Sequence, residues 1–137
     1  MRHFTLQEAQ AALPKLQTIF ETAFQIKRRI NSKMRKIKTQ EAASEPDMPA
    51  VAIERSQLEF LAQSLREVFQ EIDSTGAVLK GLDPALVDFP CRLHDGEIYL
   101  CWRYGEEEIT HFHGIQEGFS GRRPLSELQF LPPRKLS

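Results

Sequence analysis

Cysteine is scarce, with two in 137 residues. So few thiols exclude a disulfide scaffold and fit a reducing cytoplasm, so Cys91 and Cys101 read as semi-buried thiols. No charge of one sign predominates. The 18 Lys and Arg face 19 Asp and Glu for a net charge of -1, so the chain as a whole is no polyelectrolyte partner for nucleic acid. No apolar run approaches the roughly 18 residues needed to span a bilayer, which excludes membrane insertion through a helix. The opening Met1-Arg2-His3-Phe4-Thr5 lacks an apolar signal core and points to a cytoplasmic protein. Glycine and proline, 7 and 8 residues, are too few for a collagen-like or low-complexity chain, and 41% hydrophobic residues exclude wholesale disorder. The sequence also lacks a P-loop, a nucleophile elbow, a dinucleotide fingerprint and a Cys-x-x-Cys pair. No catalytic residue, metal or cofactor is therefore expected.

The first half of the chain carries helical periodicity. Thr5 followed by Glu8 forms a capping box. From there Leu6, Ala9, Leu13, Leu16, Phe20 and Ala23 step by three and four, and Ile30, Met34 and Ile37 continue the stripe. Lys27 interrupts it, and Ala12, Ile19, Phe24 and Ile26 widen it, so more than one neighbour must cover it. Pro14 predicts a kink in the third turn. Such a helix is roughly 50 Å long, too long for a compact monomer of this size. Residues 40–52 read as a polar loop marked by Pro46 and Pro49. A second stripe, Leu58, Leu61, Leu65, Val68 and Ile72, follows, with Ser56 and Glu59 as a candidate capping box or a start a few residues earlier, and Gly76 as its stop. Two such helices fold back as an antiparallel hairpin over 5–76, and pairing two hairpins predicts a homodimer.

The period then changes. Val78–Leu82 reads as an edge strand or a last helical turn, and Leu86–Pro90 is extended. Glu97–Arg103 alternates as a strand, and Ile109–His113 is its partner. A two-residue turn at Gly105-Glu106 would set Cys101 against Thr110 and Tyr99 against Phe112, with Trp102, Leu100 and Ile98 opposite Ile109, His111 and His113. One face then covers the helices, and the C-terminal tail or a second subunit covers the other. Gly114–Pro124 reads as a loop. The expectation is one α+β domain, 1–137: a long antiparallel two-helix, coiled-coil-like hairpin packed on a small antiparallel β-sheet with loops over 77–131, and a tail over 132–137.

Three constellations could carry function. His111 and His113 share a strand face at the spacing of many metal sites, with Asp88, Glu106 or a cysteine as a third ligand. The preferred reading is polar residues at the sheet margin without a metal. Asp88, Arg103, Glu106, Arg122 and Arg123, with Trp102 beside the histidines, could line a small-ligand pocket. A Cys101–His113 nucleophile pair is disfavoured, because the expected register puts them on opposite faces. Lys27, Arg28, Arg29, Lys33, Arg35, Lys36 and Lys38 form a basic patch without an intervening acid. It lacks aromatics to stack bases and reads as a solvated helix end neutralised by Glu41, Glu45 and Asp47, which argues against nucleic acid.

Several motifs together suggest a family: Phe4-Thr5-Leu6-Gln7-Glu8-Ala9 with Leu13-Pro14, Val78-Leu79-Lys80, Leu86-Val87-Asp88-Phe89-Pro90, Tyr99-Leu100-Cys101-Trp102-Arg103-Tyr104-Gly105-Glu106, His113, and Gly118-Phe119-x-Gly121-Arg122. Over nearly the whole chain the sequence resembles the bacterial domain-of-unknown-function family 2203. Family members often have Trp before the histidine where this chain has Phe112, and His111 lies outside the pattern. The resemblance implies no activity. It favours Asp88, Trp102, Glu106, His113, Gly121 and Arg122 as site positions, with structural roles as the alternative: Asp88 in a turn, Gly105-Glu106 in the hairpin, Gly121 at a positive φ. The expected function is a non-enzymatic interaction or small-ligand-binding module that self-assembles through its hairpin, using Asp88, Trp102, Arg103, Glu106, His113 and Arg122 toward an unidentified protein or small molecule. The alternatives are a metal-binding protein or enzyme using His113, Asp88 and Arg122, and a nucleic-acid-associated protein using the basic patch.

Overall fold

Thr5 opens the first helix as expected. Its backbone N–H donates to Glu8 Oε1 at 2.8 Å, and its Oγ1 accepts from the Glu8 N–H at 3.0 Å. The Thr5 N–H also holds the Glu8 carboxyl below its ordinary value. A computed structural model describes residues 2–93 and 96–130 of the chain, and the expected tail over 132–137 lies outside the described residues. Helix α1 spans Leu6–Glu41 and runs through Pro14. Helix α2 spans Met48–Ser74, so it starts well before the expected Ser56 cap. The true cap is Asp47, whose Oδ1 accepts from the Ala50 N–H at 3.1 Å. Pro49, which marked a loop in the sequence, sits in the first turn of α2, where a missing N–H costs nothing. Gly76 stops α2 at φ 94, a conformation that favours glycine.

The chain divides into two compact units. Ile19–Glu71 forms one, in which the later part of α1 packs on α2. Ion pairs join the two helices: Lys33 Nζ lies 2.6 Å and Lys36 Nζ 2.8 Å from Glu54, and Arg55 pairs with Glu41. The pairing of Glu41 with Arg55 and of Lys33 with Gln57 sets the helices antiparallel. Ile19, Phe20, Ala23, Ile37, Val51, Leu61 and Val68 are its buried apolar residues.

The other unit takes the chain up to Thr18 and from Ile72 onward. Its five-stranded antiparallel sheet has the order β1-β2-β3-β4-β5, formed by Val78–Leu82, Ala85–Leu93, Gly96–Arg103, His111–Gly114 and Arg123–Pro124. The strand reading of Val78–Leu82 is therefore the correct one. Pro90 is tolerated within β2 because β1 reaches only as far as Asp88. Beyond it the Pro90 carbonyl accepts the Phe4 N–H at 2.7 Å. One sheet face carries Val87, Phe89, Leu100, Trp102 and Phe112, all buried, with the Phe4 ring packed edge-on against Phe89 at 5.1 Å. The helices and this sheet make an α+β architecture.

The expected β3–β4 register is off by one residue. Tyr99 pairs with His113 and Cys101 with His111. Gly105 (φ 105) occupies the third position of a turn closed by Glu106 N–H to Arg103 O at 3.0 Å, the position where a type II turn takes glycine. The central turn residues are thus Tyr104 and Gly105, not Gly105 and Glu106. Residues 107–110 then lengthen the connection, with Gln10 Oε1 accepting the Ile109 N–H at 3.0 Å. A one-residue shift exchanges the two faces of a strand. Residues 115–124 are also more than a loop, since they include a 3₁₀ turn at Phe119–Gly121 and strand β5.

Candidate functional site

The shifted register assembles a polar cluster on the sheet face opposite Trp102. Asp88 on β2 pairs directly with Cys101 on β3. His113 on β4 lies diagonally from Cys101, two residues along from its partner His111. Three adjacent strands thus contribute one side chain each to a single patch. All three residues are buried.

His113 is held at both ring nitrogens. Nδ1 lies 2.8 Å from the Gly114 carbonyl oxygen, and Nε2 lies 3.0 Å from Asp88 Oδ2. A carbonyl only accepts, so Nδ1 carries a proton and Nε2 is turned on the carboxylate. Lys80 Nζ approaches the same carboxylate oxygen at 3.9 Å and lies 5.3 Å from the centre of the Tyr99 ring, which in turn packs against the His113 imidazole. The Cys101 thiol adjoins Asp88. Burial pushes it up to about 12, and the Asp88 charge adds to the rise, while Arg122 opposes it. A thiol held protonated beside a carboxylate, rather than beside the imidazole, is a poor nucleophile. The expectation that Cys101 and His113 lie on opposite faces is overturned, yet the objection to a nucleophile pair stands on this different ground.

Asp88 and Cys101 floor a cavity of 260 Å³ whose other walls are Lys80, Leu86, Glu117, Gly118 and Phe119, and His113 adjoins it through Asp88. The segment carrying Glu117–Phe119 therefore lies over the sheet face that was expected to need the C-terminal tail or a second subunit. Glu117 braces that segment: its Oε1 accepts the Gly114 N–H at 2.8 Å and pairs with Arg123 at 3.2 Å.

The other expected site residues fall around or away from this patch. Glu106 pairs with Arg122, whose Nη2 lies 3.0 Å from Oε2, and accepts the Arg103 N–H at 2.8 Å. Glu106 thereby ties the β3–β4 loop to Arg122, whose guanidinium stacks 4.7 Å from the Phe119 ring centre. The Arg103 side chain is exposed. Trp102 is fully buried on the opposite face, its Nε1 donating to the Glu106 carbonyl at 3.0 Å, so it is no wall beside His113. Asp88 lies in mid-strand rather than in a turn. Gly121 has no positive φ. A Cβ there would stand 3.0 Å from Glu117 Oε2 and 3.1 Å from Glu117 Cβ, so a larger residue would need Glu117 to shift. His111 stays out of the cluster, with Nδ1 2.8 Å from Thr110 Oγ1.

The basic patch is partly consumed within the helical unit. Glu54, not Glu41, Glu45 or Asp47, takes both Lys33 and Lys36. Sequence reasoning weighed Cys101 only as a possible third metal ligand or a disfavoured nucleophile, and it missed Lys80 and Glu117. The Asp88–Cys101 pairing needed the β2–β3 register, and Cys101 with His113 needed the β3–β4 register, which a long loop left open.

A family model described as "Uncharacterized conserved protein (DUF2203)" matches residues 2–125. The chain belongs to this family. The match covers both helices and all five strands of this DUF2203 protein, with Asp88, Cys101 and His113 inside it. No curated protein and no solved structure matches the chain. Among the described residues, no helix is long and apolar enough to cross a membrane.

Proposed function

We propose that this protein is a non-enzymatic binding module that takes a small polar ligand in the cavity over Asp88 and Cys101. The observation that carries this reading is a buried carboxylate and a buried thiol at the floor of a 260 Å³ cavity, with the buried His113 imidazole bonded to that carboxylate. Buried polar groups cost stability unless they are paired, and a hydrophobic trio would be cheaper for folding alone. Lys80 and Glu117 give the cavity walls one charge of each sign, suited to orienting a ligand with both donor and acceptor groups.

Thermal melting tests the reading with four probes, acetate, inorganic phosphate, methylammonium and zinc. A ligand that binds only the folded state raises the melting temperature. At least one probe is expected to do so in the wild type and to lose the effect in Asp88→Asn. No rise with any of the four discards the reading.

A second reading concerns the helical unit, where Ile53 and Phe60 stand 59% and 72% exposed, seven residues apart on one stripe of α2. The occupant proposed for this stripe is a second copy of the chain. Charge supports that choice: beside Lys33, Lys36, Glu54 and Arg55, which pair within the hairpin, α1 carries five more cations over 27–38 and α2 four more carboxylates over 59–73 against Arg66. Nucleic acid is not proposed, because Lys33 and Lys36 are already engaged by Glu54.

A further inference from the structure

We infer that Asp88, Cys101 and His113 bind a divalent transition-metal ion of the zinc type, with one coordination position left open to the cavity. This inference rests on the ligand-binding reading above and names the ligand.

Four observations converge on it. The first is donor geometry. Each of the three side chains offers one ligand atom, and these atoms all lie within 4.8 Å of one another. Donor atoms around a tetrahedral zinc ion stand roughly 3.2–3.8 Å apart, given bond lengths of about 2.0–2.3 Å. The His113–Asp88 separation of 3.0 Å is already close to that spacing, and small side-chain movements bring in the thiol. The second is the orientation of His113. Metal-bound histidines donate their remaining ring N–H to a carbonyl or carboxylate, which fixes the tautomer and aims the other nitrogen at the ion. The Gly114 carbonyl does this at 2.8 Å.

The third is charge. A carboxylate, a neutral imidazole, a thiolate and a divalent cation sum to zero, which leaves no uncompensated charge among the buried ligands. The fourth is the number of ligands. Structural zinc sites close the sphere with four protein ligands, whereas three leave room for water or a small ligand. The cavity reaches Asp88 and Cys101 directly. A thiolate, an imidazole and a carboxylate select borderline ions such as zinc and cobalt over magnesium and calcium, which prefer all-oxygen shells.

The test uses the full chain, stripped with a chelator and titrated with cobalt. A bound thiolate gives a ligand-to-metal charge-transfer absorption in the near ultraviolet, which oxygen and nitrogen ligands do not. The expected result is saturation of that absorption at one equivalent, displacement of cobalt by zinc, and no response to magnesium. Cys101→Ser is expected to abolish the absorption and Cys91→Ser to keep it. Asp88→Asn and His113→Gln should weaken zinc binding by more than the roughly 10–100-fold that loss of an outer-shell partner costs. Circular dichroism of each metal-free variant checks that it folds.

If folded wild-type protein shows no charge-transfer absorption, the metal inference is overturned without recourse to any variant. It is equally overturned if Cys101→Ser keeps the absorption, or if His111→Ala removes it while His113→Gln does not. The melting experiment with acetate, phosphate and methylammonium separates the two claims. An Asp88-dependent rise with one of these and none with zinc leaves the binding module standing and removes the metal. Silence from all four probes removes both.

Discussion

Glu54 illustrates how one side chain can absorb a charge excess. Hydrogen bonds from Lys33, then Lys36, hold its carboxyl below the ordinary value of 4.5. Its pKa is lower in the folded state than in the unfolded chain. Its contribution to stability is therefore complete above the ordinary value and is lost as the pH falls through the lower folded value. The wild type is expected to lose stability below about pH 4.5, and Glu54→Gln to flatten part of that acid limb while lowering the neutral plateau. Melting curves between about pH 3 and pH 7 check this. At the same scale, the site was only half legible. Asp88 and His113 could be singled out because a lone acid and a histidine stand in apolar strand segments. Cys101 could be named but not placed beside them, because a thiol in a strand reads equally well as core, and its role depends on what lies across the ladder.

Elements differ in how firmly local chemistry specifies them. The capping box at Thr5 and Glu8, the helix that the stripe from Leu6 to Ile37 predicts and the stop at Gly76 are short-range signals, and each appears in the structure, although Met34 of that stripe stands exposed. Gly76 also carries a steric constraint. A Cβ at that position would stand 2.8 Å from Arg2 Cδ and 2.9 Å from Arg2 Cβ, on top of a φ of 94. Gly76→Ala is expected to cost about 1–3 kcal/mol by urea denaturation. Adding Arg2→Ala should recover only part of this, because the backbone strain remains. The start of α2 and the β3–β4 register were not legible. Pro49 marks a loop and a first helical turn with equal strength. The register hung on which two residues occupy a turn, and Gly105 serves either choice until Glu106 is seen to bind the Arg103 N–H, the Trp102 indole and Arg122.

For the whole molecule, assembly is the property that most needs a direct measurement. The exposed Ile53 and Phe60 stripe predicts a dimer by light scattering after size exclusion. Phe60→Asp should give a monomer with an unchanged circular dichroism spectrum, because Phe60 is 72% exposed and supports no core. A wild-type monomer at all concentrations removes the self-assembly reading and leaves the sheet unit's site untouched.

The central strands have one more consequence. In an ordinary half-buried sheet, substitutions are tolerated at every second position. Here Val87 through Cys91 on β2 and Leu100 through Trp102 on β3 are buried without a break. Odd and even positions answer to different demands, apolar packing at Leu100 and Trp102, polar partners at Asp88 and Cys101. A saturation library through these strands should therefore show unbroken intolerance, but with two alternating vocabularies. Hydrophobic replacements would survive best at Val87, Phe89 and Leu100 and worst at their immediate neighbours Asp88 and Cys101.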